Sequence, residues 1–133
     1  MRICMFSRIM PIHAKGGMQD HVYMLSKGLA NCGHEVVVLT TRHPEWVEYE
    51  REGMLEIHYM PDTIPGEYSK SWQIQSLRWF LRLHRETPFD IIHSQSAGGY
   101  YLLRKKVNQR FNIPFVTSLH GTHLDMLRTF VAA

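Results

Sequence analysis

Two adjacent glycines, Gly16 and Gly17, stand between a short apolar strand at the N-terminus and an amphipathic segment that reads as a helix. Backbone N–H groups without partners gather at a helix N-terminus. The helix dipole adds to their pull, so a phosphate or another anion is the chemistry such a turn can hold. The side chains that could join them lie in three other places. His13 sits in the loop before the glycines, Gln95 follows an apolar run, and His120 with Thr122 follows another. No G-x-G-x-x-G and no G-x-x-x-x-G-K-[ST] occurs in the chain, which argues against a nicotinamide enzyme and a P-loop enzyme. His120, His123 and Asp125 are close in sequence. Their spacing suits no common helix-borne zinc motif and falls short of a four-ligand site, so no metal is expected.

The elements that must position these residues follow from hydrophobic period. Arg2 to Phe6 is a continuous apolar strand, as expected of a strand buried on both faces. Met18, Val22, Leu25, Leu29 and Cys32 recur at helical spacing, and Gly33 ends that helix. Glu35 to Thr40 is a second buried strand, and Arg42 to Gly53 reads as charged and irregular. Leu55, Ile57 and Tyr59 alternate with polar residues in a half-buried strand near the sheet edge. Ser71 to Glu86 is a second helix. Its Arg78, Arg82 and Arg85 form one stripe, while Trp72, Trp79 and five aliphatic or aromatic residues fill an arc of roughly 220°. Asp90 to Ser94 is a strand, and Ala97 to Phe111 is a helix with Leu102, Leu103 and Val107 as its core. Phe115 to Leu119 is a further strand, and another helix begins at Asp125. The alternation of strand and helix predicts an α/β fold. It is a Rossmann-like, doubly wound, mostly parallel sheet with helices on both faces, whose ligands collect at the C-terminal ends of the strands. Gly16, Gly17, Gln95 and His120 all fall there, whereas His21 and His34, within and beyond the first helix, read as structural.

Composition sets bounds. The chain has 133 residues, 44% of them hydrophobic, enough for one domain with a core. A formal charge of +3 suits an anionic ligand but is too small to argue for nucleic acid. Cys4 and Cys32 are expected as buried free thiols in a reducing compartment. The start lacks the apolar run of a secretory leader and no stretch is long enough to span a bilayer, so a cytoplasmic location is expected. Two tryptophans beside an arginine stripe in Ser71 to Glu86 raise peripheral contact with an anionic membrane at its inner face.

Gly16 to Thr40 resembles the start of the retaining nucleotide-sugar glycosyltransferases of the GT-B fold, group 1 or family four. The likeness lies in the double glycine, His21-Val22, Leu25-Ser26, Gly33-His34-Glu35-Val36 and Val38-Leu39-Thr40. PFDIIHSQS (Pro88 to Ser96) and IPFVTSLHGTHLD (Ile113 to Asp125) resemble two later motifs, in the same order. The resemblance implies a two-domain enzyme that moves a sugar from a nucleoside diphosphate sugar to a hydroxyl acceptor, with retention and without a metal or other cofactor. The acceptor could be a sugar, a lipid-linked sugar or a small molecule. This chain would be the acceptor-side N-terminal domain, inactive alone. The donor-binding domain and its Glu-x7-Glu motif would be missing; Glu45 and Glu52, with six residues between, miss that spacing. His120 matches the family's cleft histidine and is the candidate catalytic residue. Gly16, Gly17, Gln95, His13 and Thr122 are candidates for acceptor or donor-phosphate binding, Gln95 standing where many members carry a second histidine. A stand-alone sugar- or anion-binding module and half of a GT-B nucleotide-sugar epimerase remain as alternatives.

Overall fold

In the computed structural model, which describes residues 1–120, six strands and four helices alternate along the chain. The strands are β1 (Arg2–Phe6), β2 (Glu35–Thr41), β3 (Tyr49–Glu52), β4 (Leu55–Met60), β5 (Ile91–Gln95) and β6 (Phe115–Ser118). They form one sheet in the order β3-β4-β2-β1-β5-β6, parallel throughout except that β3 runs antiparallel to β4. The order of winding reverses between β1 and β5. The loops leaving these two neighbours go to opposite faces and open a crevice at their C-terminal ends.

The inner strands β1, β2 and β4 alternate their side chains between two cores. Ile3, Met5, Val36, Val38, Leu55, Ile57 and Tyr59 face α1 (Gly17–Asn31). Cys4, Phe6, Val37, Leu39, Met60 and Ile92 face the layer of α2 (Lys70–Glu86), α3 (Tyr100–Arg104) and α4 (Val107–Arg110). The doubly wound α/β fold expected from the sequence is therefore the fold observed. Gly33 takes φ +93°, the left-handed conformation of a glycine that ends a helix. Ser69 caps α2 by accepting from the Trp72 N–H.

Several local expectations need correction. The segment from Arg42 to Gly53 is not wholly irregular, because Tyr49–Glu52 forms β3 and turns back onto β4. Its sequence, YERE, lacks an apolar face because it is an edge strand, where charged side chains keep other chains from pairing. The strand expected near the edge, β4, does lie beside it, second in the sheet. The helix expected over Ala97 to Phe111 is two short helices divided at Lys106, whose φ is 57°, and Leu103 is exposed. Cys32 is exposed, since it follows the last turn of α1. Cys4 is a buried free thiol, and burial pushes its pKa far up. The buried stripe of α1 is Gln19, Val22, Ser26 and Ala30, with Met18, Leu25 and Leu29 half-buried beside it.

Trp72 also departs from the expectation of a surface helix. It is 1% exposed and its indole N–H donates to the Gly98 carbonyl at 2.9 Å. Trp79 is half-buried under the Arg82 guanidinium, 4.3 Å from the ring centre. What α2 offers to solvent is the stripe Arg78, Arg82 and Arg85. No helix among the described residues is long and apolar enough to cross a membrane.

Candidate functional site

The crevice is shaped by backbone before side chains enter it. The turn after β5 passes so close to the end of β1 that a Cβ on Gly98 would lie 2.6 Å from the Phe6 carbonyl oxygen. Ser94 ties this turn together. Its hydroxyl accepts from the Gly99 N–H and donates to the Ser96 carbonyl, both at 2.8 Å. On the other strand ends, three loops are knitted by polar side chains. Thr41 donates its hydroxyl to the Arg8 carbonyl and accepts from the Gly66 N–H, Arg8 donates to the Gly66 carbonyl, and Thr63 accepts from the Arg42 N–H.

Gln95 is the last residue of β5 and is fully buried. Its Oε1 stands 2.7 Å from Nε2 of His120, which lies two residues beyond the end of β6. Its amide nitrogen faces Met5 Sδ at 3.1 Å and His93 Nε2 at 3.4 Å. In this amide orientation the oxygen accepts, so a neutral His120 carries its proton on Nε2. The same orientation turns the Gln95 NH2 toward His93 Nε2, which also lies 2.7 Å from the Ser118 hydroxyl. Burial holds both imidazoles below their ordinary pKa. The neighbouring His21 pushes both further the same way, and His120 adds to the effect on His93. Both rings therefore favour the neutral form. The parallel pairing of β5 and β6, with His93 opposite Val116 and Gln95 opposite Ser118, brings His93, Gln95 and Ser118 to one face of the sheet.

Gly16 is the N-cap of α1 and its backbone is extended. Space rather than conformation explains it: a Cβ there would lie 2.7 Å from Oε1 of Gln19, whose side chain folds back to donate to the Ala14 carbonyl. Gly17 has nothing within 4 Å of a would-be Cβ, and no side chain caps the helix. The first turn of α1 thus begins in open space beside the crevice. His13 is placed differently from a solvated ligand-binding group. Its Nδ1 accepts the Met10 N–H at 2.9 Å, and its Nε2 reaches the carbonyls of Thr41 and Arg42 at 3.1 and 3.0 Å. Both nitrogens are spent on holding loops together, and burial lowers its pKa despite those backbone bonds. Thr122, His123 and Asp125 lie outside the described residues. Among the described residues no group of three or more His, Cys, Asp or Glu side chains is placed to hold a metal ion.

Two features escaped the sequence reading. His21 was assigned a structural role, yet its exposed ring stands edge-on to His120, with centroids 5.4 Å apart. The second lies on the opposite flank of α1, about 200° around the helix at Tyr23. A cavity of about 330 Å³ opens there between the helix and the β3–β4 hairpin, walled by Met10, Ile57, Tyr23 and Tyr59 with Glu50 and Glu52 at its side. The Tyr23 hydroxyl donates to the Glu52 carboxylate at 2.8 Å, and that bond, with burial, raises its pKa. Glu48 and Glu56 do have seven residues between them. They lie on opposite arms of the hairpin, Glu48 just before β3 and Glu56 within β4, and share no site with His120.

A doubly wound parallel sheet with a crevice at its switch point is the architecture in which α/β domains bind their ligands. Residues 15–132 match glycosyltransferase family 4, and the chain belongs to that family. Its fold is that of an N-terminal GT-B glycosyltransferase domain. A solved structure of sucrose-phosphate synthase from Thermosynechococcus elongatus superposes with a TM-score of 0.75 at 20% identity, covering 99% of this chain and 35% of that one. A second sucrose-phosphate synthase structure from the same organism superposes with a TM-score of 0.67 at 16% identity, covering 98% of this chain and 68% of that one. The chain therefore spans about a third of the length of the first of these proteins. No curated protein matches it.

Proposed function

We propose that this chain is the acceptor-side half of an enzyme that transfers a glycosyl unit from a nucleoside diphosphate sugar to a hydroxyl acceptor, with retention of anomeric configuration. The observation that carries the reading is the contact of His120 with Gln95 at the switch-point crevice, beside the open start of α1. The barrier to glycosyl transfer is negative charge on the departing diphosphate and positive charge on the sugar ring. Fixed N–H donors at a helix start stabilise the first, and a donor-binding domain closing over the crevice would exclude water and strengthen that effect. The residues here contribute one wall: Gly16 and Gly17 toward phosphate, Gln95 and His120 toward sugar hydroxyls. The reaction asks for no metal, and a cytoplasmic location fits a nucleotide-sugar donor. Any membrane contact through α2 would rest on Arg78, Arg82 and Arg85, because Trp72 is in the core.

The test uses the full-length protein and a panel of nucleotide sugars. Release of nucleoside diphosphate that depends on a hydroxyl acceptor, with NMR showing the anomeric configuration kept, supports the reading. Binding of sugars with no release from any donor leaves a sugar-binding module. Interconversion of the donor without transfer identifies an epimerase.

A further inference from the structure

Three imidazoles meet around Gln95 from three separate elements: His21 from α1, His93 from β5 and His120 from the segment after β6. Core packing does not force the contact between the first and last of these. Both rings are exposed, and the neighbouring Val22 does the packing of that turn. Charge does not hold it together either. The ionisable groups that act on His93 are His21 and His120, and the one that acts on His120 is His21, so all the interactions are between like charges. His120 has spent Nε2 on Gln95, and its Nδ1 has no partner among the described residues.

A neutral imidazole has one donor and one acceptor. Gln95 Oε1 accepts only, so it takes the donor and leaves Nδ1 as an acceptor. A charged imidazole would instead donate from both nitrogens and would welcome a phosphate oxygen. Which of these His120 presents is decided by what sits next to it. A second cationic group close by disfavours the charged form. An edge-on aromatic partner also limits how the ring can turn.

We propose that His21 is a positioning residue for His120. Its edge contact holds the His120 ring with the proton on Nε2 toward Gln95, and a proton taken up by His21 disfavours a second one on His120, so the Nδ1 lone pair is left to accept a hydrogen bond from a substrate hydroxyl rather than to meet an anionic oxygen. The substrate part of this statement rests on the glycosyl-transfer reading of the crevice; the coupling between the two rings does not.

The two parts are tested separately. Nitrogen-15 NMR of the histidine rings in the 133-residue chain reads tautomer and titration directly. In the unsubstituted chain His120 is expected as the Nε2–H tautomer. In His21→Gln its titration midpoint moves up, because the like charge is gone. In His21→Phe an edge-on ring remains, so the midpoint moves up while the tautomer is retained. A His120 midpoint unchanged in both variants overturns the coupling. In the full-length enzyme, the acid limb of the kcat/KM profile moves to higher pH in His21→Gln by the shift seen in NMR. A midpoint that moves while the acid limb stays in place overturns the role of His21 in the reaction. Failure of the unsubstituted enzyme to release nucleoside diphosphate from any donor overturns the reading of the crevice, and leaves the ring coupling to be decided by the NMR alone.

Discussion

His120 Nε2 and Gln95 Oε1 stand 2.7 Å apart, and Gln95 is fully buried while His120 is exposed. A buried strand end thus orients a ring that solvent can reach. Replacing Gln95 by Leu removes the anchor without leaving a buried amide unpaired. The freed Nε2 can turn to water, so the cost in stability is expected to be small, about 1 kcal/mol. If His120 serves glycosyl transfer as proposed, the cost to activity is larger, because the ring loses its orienting partner. A fall in kcat of roughly tenfold or more in the full-length enzyme is expected, the scale of a misplaced catalytic group. Urea unfolding of the variant checks the first expectation and single-turnover kinetics the second. Full activity in Gln95→Leu would leave His120 without a role that depends on its orientation.

Glycines at the two sides of the crevice should respond oppositely to alanine. At Gly98 a methyl group would meet the Phe6 carbonyl oxygen at 2.6 Å, and that oxygen belongs to a central strand that cannot move aside. Gly98→Ala is expected to destabilise by about 2 kcal/mol or more, as overpacking of a core does. At Gly17 the space is open and the backbone is helical. Gly17→Ala is expected to stabilise by up to about 1 kcal/mol, because alanine orders less chain on folding. If a donor phosphate passes that helix start, the same substitution raises KM in the full-length enzyme. Denaturant midpoints of the two single variants give the comparison.

Acid should loosen the fold through its histidines. His13, His58, His84, His93 and His120 are all held below the ordinary imidazole range, in each case mainly by burial. The unfolded chain therefore takes up protons that the folded chain refuses. Stability from these groups is complete above the ordinary imidazole value of about 6.5 and is lost progressively as pH falls below it. His13 carries the clearest structural consequence, since a proton on Nδ1 would expel the Met10 N–H. Thermal midpoints measured from about pH 7.5 down to pH 5 should fall, and fall less in His13→Asn, which has lost that titration. A midpoint that stays level across this range would mean these rings titrate alike in both states.

Much of this architecture is written in local pattern. The buried strands from Arg2 and Glu35 are continuous apolar runs. The Gly33 stop and the helical spacing of Val22 with its neighbours need no partner to be recognised. What escaped depends on who the neighbour is. Tyr49–Glu52 is a strand because β4 lies beside it, and nothing in YERE says so. Gln19 is polar and helical, yet its side chain lies where one on Gly16 would be and the residue is only 7% exposed. His21 and His120 are 99 positions apart in the chain, 120 less 21. Helix phase places His21 outside the core stripe, and only the path of the chain beyond β6 brings a second ring to it. Trp72 was visible as an aromatic on a helix, but whether it faces lipid or core depends on Gly98, whose carbonyl it bonds.

Lys106 tests a break that no sequence signal announced. It holds φ 57° between α3 and α4, where a continuous helix would otherwise carry Leu103 and Val107 on related faces. A Cβ in this left-handed conformation costs about 1–2 kcal/mol. Glycine removes that cost but orders a more flexible chain, a loss of about 0.5–1 kcal/mol. The first effect is the larger, so Lys106→Gly is expected to raise stability slightly, by no more than about 1 kcal/mol. Lys106→Pro serves as the opposite case, because the ring locks φ near −65° and cannot adopt the left-handed turn. It also removes the N–H that bonds the Leu103 carbonyl at 3.0 Å. The proline variant should therefore lose stability, and its loss should centre on α4, where Val107 is buried against the sheet. Hydrogen exchange of the amides from Val107 to Arg110 distinguishes the two: protection rises or holds in the glycine variant and falls in the proline variant. Equal protection in both would show that the chain direction at this point is set by the packing of Leu102 and Val107, and not by the backbone of Lys106.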